Sequence, residues 1–163
     1  MKSKASLLII TFLLVATNCY SNETADALAS LEKHAAQGDA FSQDILGDMY
    51  FDGVLGVLKD PQKAFMWHKK AADQGYENAQ YKLGFAYQYG IGVLEDPTKA
   101  LVWYGKAAKQ GSGAAQYKLG SAYFYGKGVP KDLKLAKEFI QKAHNNGYEP
   151  ATKFWAENEL WKY

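Results

Sequence analysis

Three stretches of the chain repeat one pattern: Ser42 to Tyr50, Ala79 to Tyr87 and Ala115 to Tyr123, which begin 37 and then 36 residues apart. A fixed period in this range is the signature of a stacked array, in which each unit is one supersecondary element too small to bury its apolar face alone. Such a chain folds by stacking neighbours, and it works by presenting a surface rather than by enclosing a reaction centre. Its 163 residues leave room for about four hairpin units.

Superposing the copies aligns Leu46/Leu83/Leu119, Gly47/Gly84/Gly120, Tyr50/Tyr87/Tyr123 and Gly53/Gly90/Gly126. Leucine and tyrosine are four residues apart, so they share one face of a first helix, helix A. The glycine between them lowers helix propensity by about 1 kcal/mol relative to alanine, which implies that a neighbouring helix must approach there. Paired glycines follow (Gly53 and Gly56, Gly90 and Gly92, Gly126 and Gly128) and supply the positive φ of a tight helix-to-helix turn. The first copy carries one extra turn residue, which accounts for the longer spacing.

The second helix, helix B, starts at Asp60-Pro61 and Asp96-Pro97, each an N-cap acceptor followed by a proline at the first helical position. Asp132 repeats the cap without the proline. Apolar residues then recur at helical spacing: Ala64, Trp67, Ala71; Ala100, Trp103, Ala107; Ala136, Phe139, Ala143. Gly75, Gly111 and Gly147 close the helices. The alanines permit close contact, and the aromatic is expected to be buried between hairpins. Thr24 to Gly38 aligns with helix B and reads as an N-terminal capping helix. Residues 151–163 begin as another helix A but carry Trp155 and Ala156 at the leucine and glycine positions, as a degenerate end unit would.

The first 21 residues differ from the rest. Lys2 and Lys4 precede the apolar run Leu7 to Ala16 and the polar or small residues Thr17 to Ser21, the order of a secretory signal peptide. The apolar run is too short to span a bilayer as a mature helix. Cleavage near Ser21 is expected, with acylation at Cys19, the chain's one cysteine, as a second anchoring route disfavoured by Asn18 before it. Export would leave a thiol-free domain held by packing alone, in the periplasm or outside the cell. Two of the 19 lysines and none of the 17 acids lie in this leader, so the remainder is formally neutral. The chain has no arginine, the side chain best suited to phosphate and guanine, and nucleic acid is therefore not an expected partner.

Catalytic and metal constellations are not legible. His34, His68 and His144 occupy different positions in the repeat frame, and none belongs to a metal-binding spacing, so each reads as a surface or interhelical histidine. Gly111-Ser112-Gly113 reads as a turn between units rather than a nucleophile elbow. No phosphate-binding loop motif is present. The expectation is a protein without catalytic residues, metal or cofactor.

The pattern Ala-Gln-Tyr-Lys-Leu-Gly-x-x-Tyr-x-x-Gly-x-Gly-Val, then Asp, then Lys-Ala-x-x-Trp-x-x-Lys-Ala-Ala-x-x-Gly, is fullest over Ala79 to Gly111. It resembles the Sel-one-like repeat family, short relatives of tetratricopeptide repeats. The resemblance implies an all-α, right-handed α/α superhelix of three hairpin repeats over 42–78, 79–114 and 115–150, with capping helices at both ends. It also implies a monomeric interaction module. Ser42 and Phe139 are mild departures from the family pattern. In tetratricopeptide-like arrays the first helices line the concave side, which by resemblance places Phe41, Asp44, Asp48 and Phe51 inward in the first unit. Asn78, Tyr81, Phe85 and Gln88 follow in the second, and Ala114, Tyr117, Ser121 and Phe124 in the third.

Two readings of this face stand side by side. In one, an acidic first unit with Asp52 beside it and two aromatic units grip a peptide carrying a basic group and apolar groups. In the other, Tyr81 and Tyr117 pack between repeats and the aspartates only solvate the surface. The functional expectation is an exported protein-binding module, either an envelope adaptor or regulator, or an immunity protein blocking a periplasmic toxin, with a host-interaction factor as a third variant. The competing expectation is an enzyme or binder acting on peptidoglycan fragments. Exported relatives of that kind carry a disulfide in each repeat, which this chain's cysteine content does not allow.

Overall fold

The structure, a computed structural model, describes residues 24–160. The expected signal peptide, Cys19 and the last three residues of the expected terminal helix lie outside the described residues. Within them the chain is all-α: α1 (24–36), α2 (Ala40–Asp52), α3 (Pro61–Asp73), α4 (Glu77–Tyr89), α5 (Pro97–Lys109), α6 (Gly113–Tyr125), α7 (Leu133–Asn145) and α8 (Glu149–Glu157). Each helix from α2 onward packs chiefly on its neighbours in sequence, so the eight described helices form a solenoid of three hairpins with a helix at either end. No described helix is long and apolar enough to cross a membrane.

Local chemistry sets the boundaries as the sequence predicts. The carboxylates of Asp60, Asp96 and Asp132 accept from the backbone N–H of Lys63, Lys99 and Leu135, each at 2.9 Å, and start the three B helices. Helices A end on Gly53, Gly90 and Gly126 in the left-handed region. The turn then closes identically in each unit, with Asp60, Asp96 and Asp132 donating their N–H groups to the carbonyls of Tyr50, Tyr87 and Tyr123. The extra residue of the first turn is accommodated by Leu55, a non-glycine residue held at φ 53°. Gly92 leaves no choice: a Cβ there would lie 2.0 Å from the Pro61 carbonyl oxygen, where the second turn rides on the first B helix.

The core runs between the two helices of each hairpin and on into the next. Leu46, Leu83 and Leu119 are buried, as are the predicted alanines Ala64, Ala71, Ala100, Ala107, Ala136 and Ala143. The glycines of helix A lie where helix B comes closest. A Cβ on Gly47, Gly84 or Gly120 would meet the side chains of His68, Tyr104 and Ile140 at 2.3, 2.7 and 2.6 Å.

These contacts correct one expectation. The fully buried position of helix B is not Trp67, Trp103 or Phe139 but the next residue, His68, Tyr104 or Ile140. Both choices fit a helical stripe, because spacings of three and four both return to the same face. The aromatics do stand between hairpins: Trp103 lies against Ala71, Ala72, Ala79 and Leu83, and Phe139 against the equivalent cluster of the next unit. They are only half-buried, however, with lysines over their outer faces. Lys70 stands 3.9 Å from the Trp67 ring centre and Lys106 3.5 Å from that of Trp103. An aliphatic lysine stem covering an aromatic face is favourable without full burial.

A ladder of side-chain amides ties the units together. Gln43, Gln80 and Gln116, all buried in helices A, donate to the carbonyls of Ala35, Ala72 and Ala108 in the preceding B helix or cap. Their own oxygens accept from Gln74, Gln110 and Asn146, the residues that end the B helices, at 2.8, 2.8 and 2.9 Å. Gln110 and Asn146 also donate to the carbonyls of Gly75 and Gly111, one unit back. The carbonyls of Ala35, Ala72 and Ala108 also accept the N–H groups of Gly38, Gly75 and Gly111, so each buried glutamine adds a second bond at a helix end and satisfies its own amide.

At the C-terminal end Phe154 and Leu160 are buried while Trp155, at the leucine position of the pattern, is half-buried. Replacing Tyr104 with alanine is expected to cost about 3–5 kcal/mol, since it empties a buried site and breaks the 2.7 Å bond from its hydroxyl to Gln88. Trp103→Ala is expected to cost roughly 1–2 kcal/mol, as a half-exposed ring would. Urea denaturation of the two variants measures the difference.

Candidate functional site

The face carried by α2, α4 and α6 is built at the junctions between successive A helices. One repeat position makes each junction. It is Lys82 in α4, Lys118 in α6 and Phe154 in α8, and each reaches back onto the helix A before it. Lys82 Nζ lies 2.9 Å from Asp44 Oδ2 and 2.6 Å from Asp48 Oδ2. Lys118 stands over the rings of Phe85 and Tyr89, 5.7 and 5.5 Å from their centres. Phe154 packs edge-on against Tyr117, Phe124 and Tyr125. The three junctions are therefore an ion pair, a cation–π contact and an aromatic cluster on one backbone frame.

This arrangement revises the sequence reading of the first unit. Asp44 is 4% exposed, and its charge is met by Lys82 rather than held out to a ligand. Asp48, with 45% of its side chain exposed, shares that lysine. Burial alone would raise the Asp48 carboxyl, but hydrogen bonds from His68 and Lys82 outweigh it and hold its pKa below the ordinary value. Burial likewise opposes the Lys82 ammonium, and the two aspartates outweigh it and raise its pKa. Asp52 remains exposed.

The aromatic positions divide. Tyr81 packs on Tyr104, ring centres 5.6 Å apart, and Tyr117 and Phe124 pack beneath α8, so these three serve the array at least as much as any ligand. Phe51, Phe85, Gln88 and Ser121 are half-buried beside open space, while Phe41 and Asn78 lie out on the exposed side. Ala114 is half-buried.

Two clefts open along this face, one repeat apart. The first, about 390 Å³, is lined by Asp48, Phe51, His68, Tyr81, Lys82 and Phe85 among others, with Asp52 at its edge. The second, about 530 Å³, uses the matching positions Gln88, Tyr104, Tyr117, Lys118 and Ser121, and adds Tyr125. Where the first cleft shows Asp52 and Ile91, the second has Tyr89 and Lys127. At the third junction Phe154 and Leu160 of the terminal segment pack into the core instead.

Sequence reasoning missed the role of His68. It is 5% exposed, and its Nε2 lies 3.2 Å from Asp48 Oδ1 and 3.9 Å from Asp44 Oδ1. The fold so gathers Asp44, Asp48 and His68, though the sequence shows no ligand spacing. The available signal was positional: His68 directly follows the aromatic of helix B and faces the glycine between the two aspartates. The other two histidines are exposed, His34 beside the Ser30 carbonyl and His144 beside the Thr152 hydroxyl.

Comparison with known proteins agrees with this architecture. Residues 40–76, 78–112 and 113–148 match the Sel1 repeat, and the chain belongs to the Sel1 repeat family. It is similar to a Sel1 repeat protein from Oxalobacter formigenes, with 39% identity and a TM-score of 0.73 over 80% of this chain and 98% of the other. It is also similar to c5321, a protective antigen present in uropathogenic Escherichia coli strains that displays an SLR fold. There the identity is 39% and the TM-score 0.71, over 74% of this chain and 26% of that one. Helicobacter pylori cysteine rich protein B aligns at 26% identity with a TM-score of 0.63, covering 82% and 96% of the two chains. Two curated relatives are far longer, and the matched segments cover only 6% and 10% of them.

The junctions rank by what each loses. Phe154→Ala is expected to cost about 3–5 kcal/mol by uncovering the aromatic cluster. Lys82→Met, which leaves Asp44 buried without its cation, is expected to cost about 2–3 kcal/mol. Lys118→Ala is expected to cost about 1 kcal/mol or less. Equilibrium unfolding in chelator-treated buffer checks the order.

Proposed function

We propose that the protein is an exported interaction module that holds a protein or peptide segment along the two clefts of the α2, α4 and α6 face. The observation that carries this reading is the repetition itself. Two aromatic-walled clefts at equivalent positions one unit apart suit an extended chain better than a single small molecule. Charge sets an orientation: the first cleft offers the exposed carboxylate of Asp52, the second the ammonium groups of Lys118 and Lys127. A segment with a basic group at one end, apolar groups between and an acidic group at the other would complement both. Repeat solenoids commonly serve as such modules. The leader-like residues 1–21 and the similarity to an Escherichia coli protective antigen support a place in the periplasm or outside the cell. Within that setting the role is that of an envelope adaptor or regulator, or of an immunity protein occupying a toxin.

A second reading, a binder of peptidoglycan fragments, is favoured by the tyrosines of the second cleft, since sugar rings stack on exposed aromatic faces.

Immobilised protein challenged in parallel with periplasmic extract and with purified sacculi separates the two. The protein reading expects a discrete captured polypeptide from the extract, at least tenfold depleted on a double charge-reversal variant, Asp52→Lys with Lys127→Glu. Retention by sacculi alone, or capture indifferent to the charge reversal, would contradict it.

A further inference from the structure

We propose that Asp44, Asp48 and His68 form a binding site for a divalent transition-metal ion of the zinc or cobalt type, at the first junction of the array. One ligand atom from each residue lies within 4.8 Å of the others, and the imidazole Nε2 faces Oδ1 of Asp48 and Oδ1 of Asp44. The ring nitrogen is 3.2 Å from one oxygen and 3.9 Å from the other. Ligands held about 2.0–2.1 Å from a tetrahedral ion stand roughly 3.3–3.4 Å apart, so the set needs only modest contraction to close on one. One imidazole with two carboxylates is a donor set for zinc, cobalt or nickel rather than for calcium or magnesium, which prefer oxygen alone.

A second observation points into the same space. Asp44 Oδ1 is buried and has no hydrogen-bond partner, in a side chain 6% exposed. An unpaired buried carboxylate oxygen is costly, and native structures normally give such an atom a partner. The opposite oxygens are accounted for, since Lys82 takes Oδ2 of both aspartates. A cation between the Oδ1 atoms and the histidine would satisfy the orphan. It would also replace the single contact of Nε2 with Asp48 by coordination from the neutral tautomer that carries its proton on Nδ1. Asp48, His68 and Lys82 all line the first cleft, which gives an ion its path from solvent.

Lys82 is then the competing charge. Two carboxylates and one ammonium leave the cluster with a single net negative charge when the imidazole is neutral, so the lysine weakens binding without blocking the three ligand atoms. This yields a signature that an ion-pair cluster alone would lack: removing the lysine should tighten metal binding while destabilising the metal-free protein.

The test is titration of chelator-treated protein with Co²⁺, followed by visible absorption, and with Zn²⁺, followed by calorimetry. One ion per chain is expected, with the d–d bands of a four- or five-coordinate site. Affinity should fall roughly tenfold or more in His68→Gln and in the near-isosteric Asp44→Asn, and rise by a similar factor in Lys82→Met. Helical dichroism confirms that each variant is folded, and Asp44→Asn carries the test if His68→Gln is not. The absence of saturable submillimolar binding by the wild-type protein, or binding that survives loss of the ligands unchanged, would overturn the proposal.

Discussion

Everything in this array depends on one close contact, repeated three times: a glycine in helix A against a large side chain in helix B. Gly47 meets His68, Gly84 meets Tyr104 and Gly120 meets Ile140, all at distances that no Cβ would allow. The contact draws the two helices together, buries the leucine on one side and the alanines on the other, and so fixes the hairpin as a unit. A glycine in mid-helix sacrifices about 1 kcal/mol of propensity, and packing against a buried tyrosine or isoleucine offsets it.

The same contact connects structure to surface. Because the residue opposite the glycine is His68 in the first unit and Tyr104 in the second, the two clefts differ in the chemistry of their walls on one backbone frame, and Ile140 serves the core of the third. His68 reaches toward Asp44 and Asp48, and Tyr104 donates to Gln88. Two residues before the glycine in helix A, and at the matching place in α8, Lys82, Lys118 and Phe154 join one unit to the last by three different means, because their partners change from aspartates to aromatic rings and the third residue is itself aromatic. What is held constant is the amide ladder of Gln43, Gln80 and Gln116, which lies away from the clefts' linings and ties a helix-end carbonyl to the amide that closes the next B helix, so that any change would leave a buried amide partner unpaired.

The fold was largely legible because its signals are local. Caps, turn glycines and the leucine–glycine pair act within a few residues, and each appears in three copies. The partition of helix B between its half-buried aromatic and the buried residue after it was not legible, because positions three and four residues from the preceding alanine both face inward. The glutamines were visible as a repeated letter, yet their partners lie eight and about thirty residues away and follow only from the stacked geometry. The candidate site was read in part. Asp44, Asp48, Phe51, Phe85, Gln88 and Ser121 do fall on one face, but that Lys82 would meet both acids and Phe154 would cover Tyr117 and Phe124 depends on which element comes next in space. A buried charge looks the same in sequence as a solvated one until its counter-ion is placed.

The most direct measurement of the central contact is a thermodynamic cycle by chemical denaturation. Gly84→Ala is introduced alone and in the Tyr104→Ala background, where the ring that its Cβ would strike at 2.7 Å is gone. If the close approach of glycine to tyrosine sets the hairpin, the added methyl should cost on the order of 2 kcal/mol in the wild-type protein and far less in the second background. The coupling should be about 1–3 kcal/mol. Equal costs in both backgrounds would show that the glycine is there for some other reason, and would contradict the account.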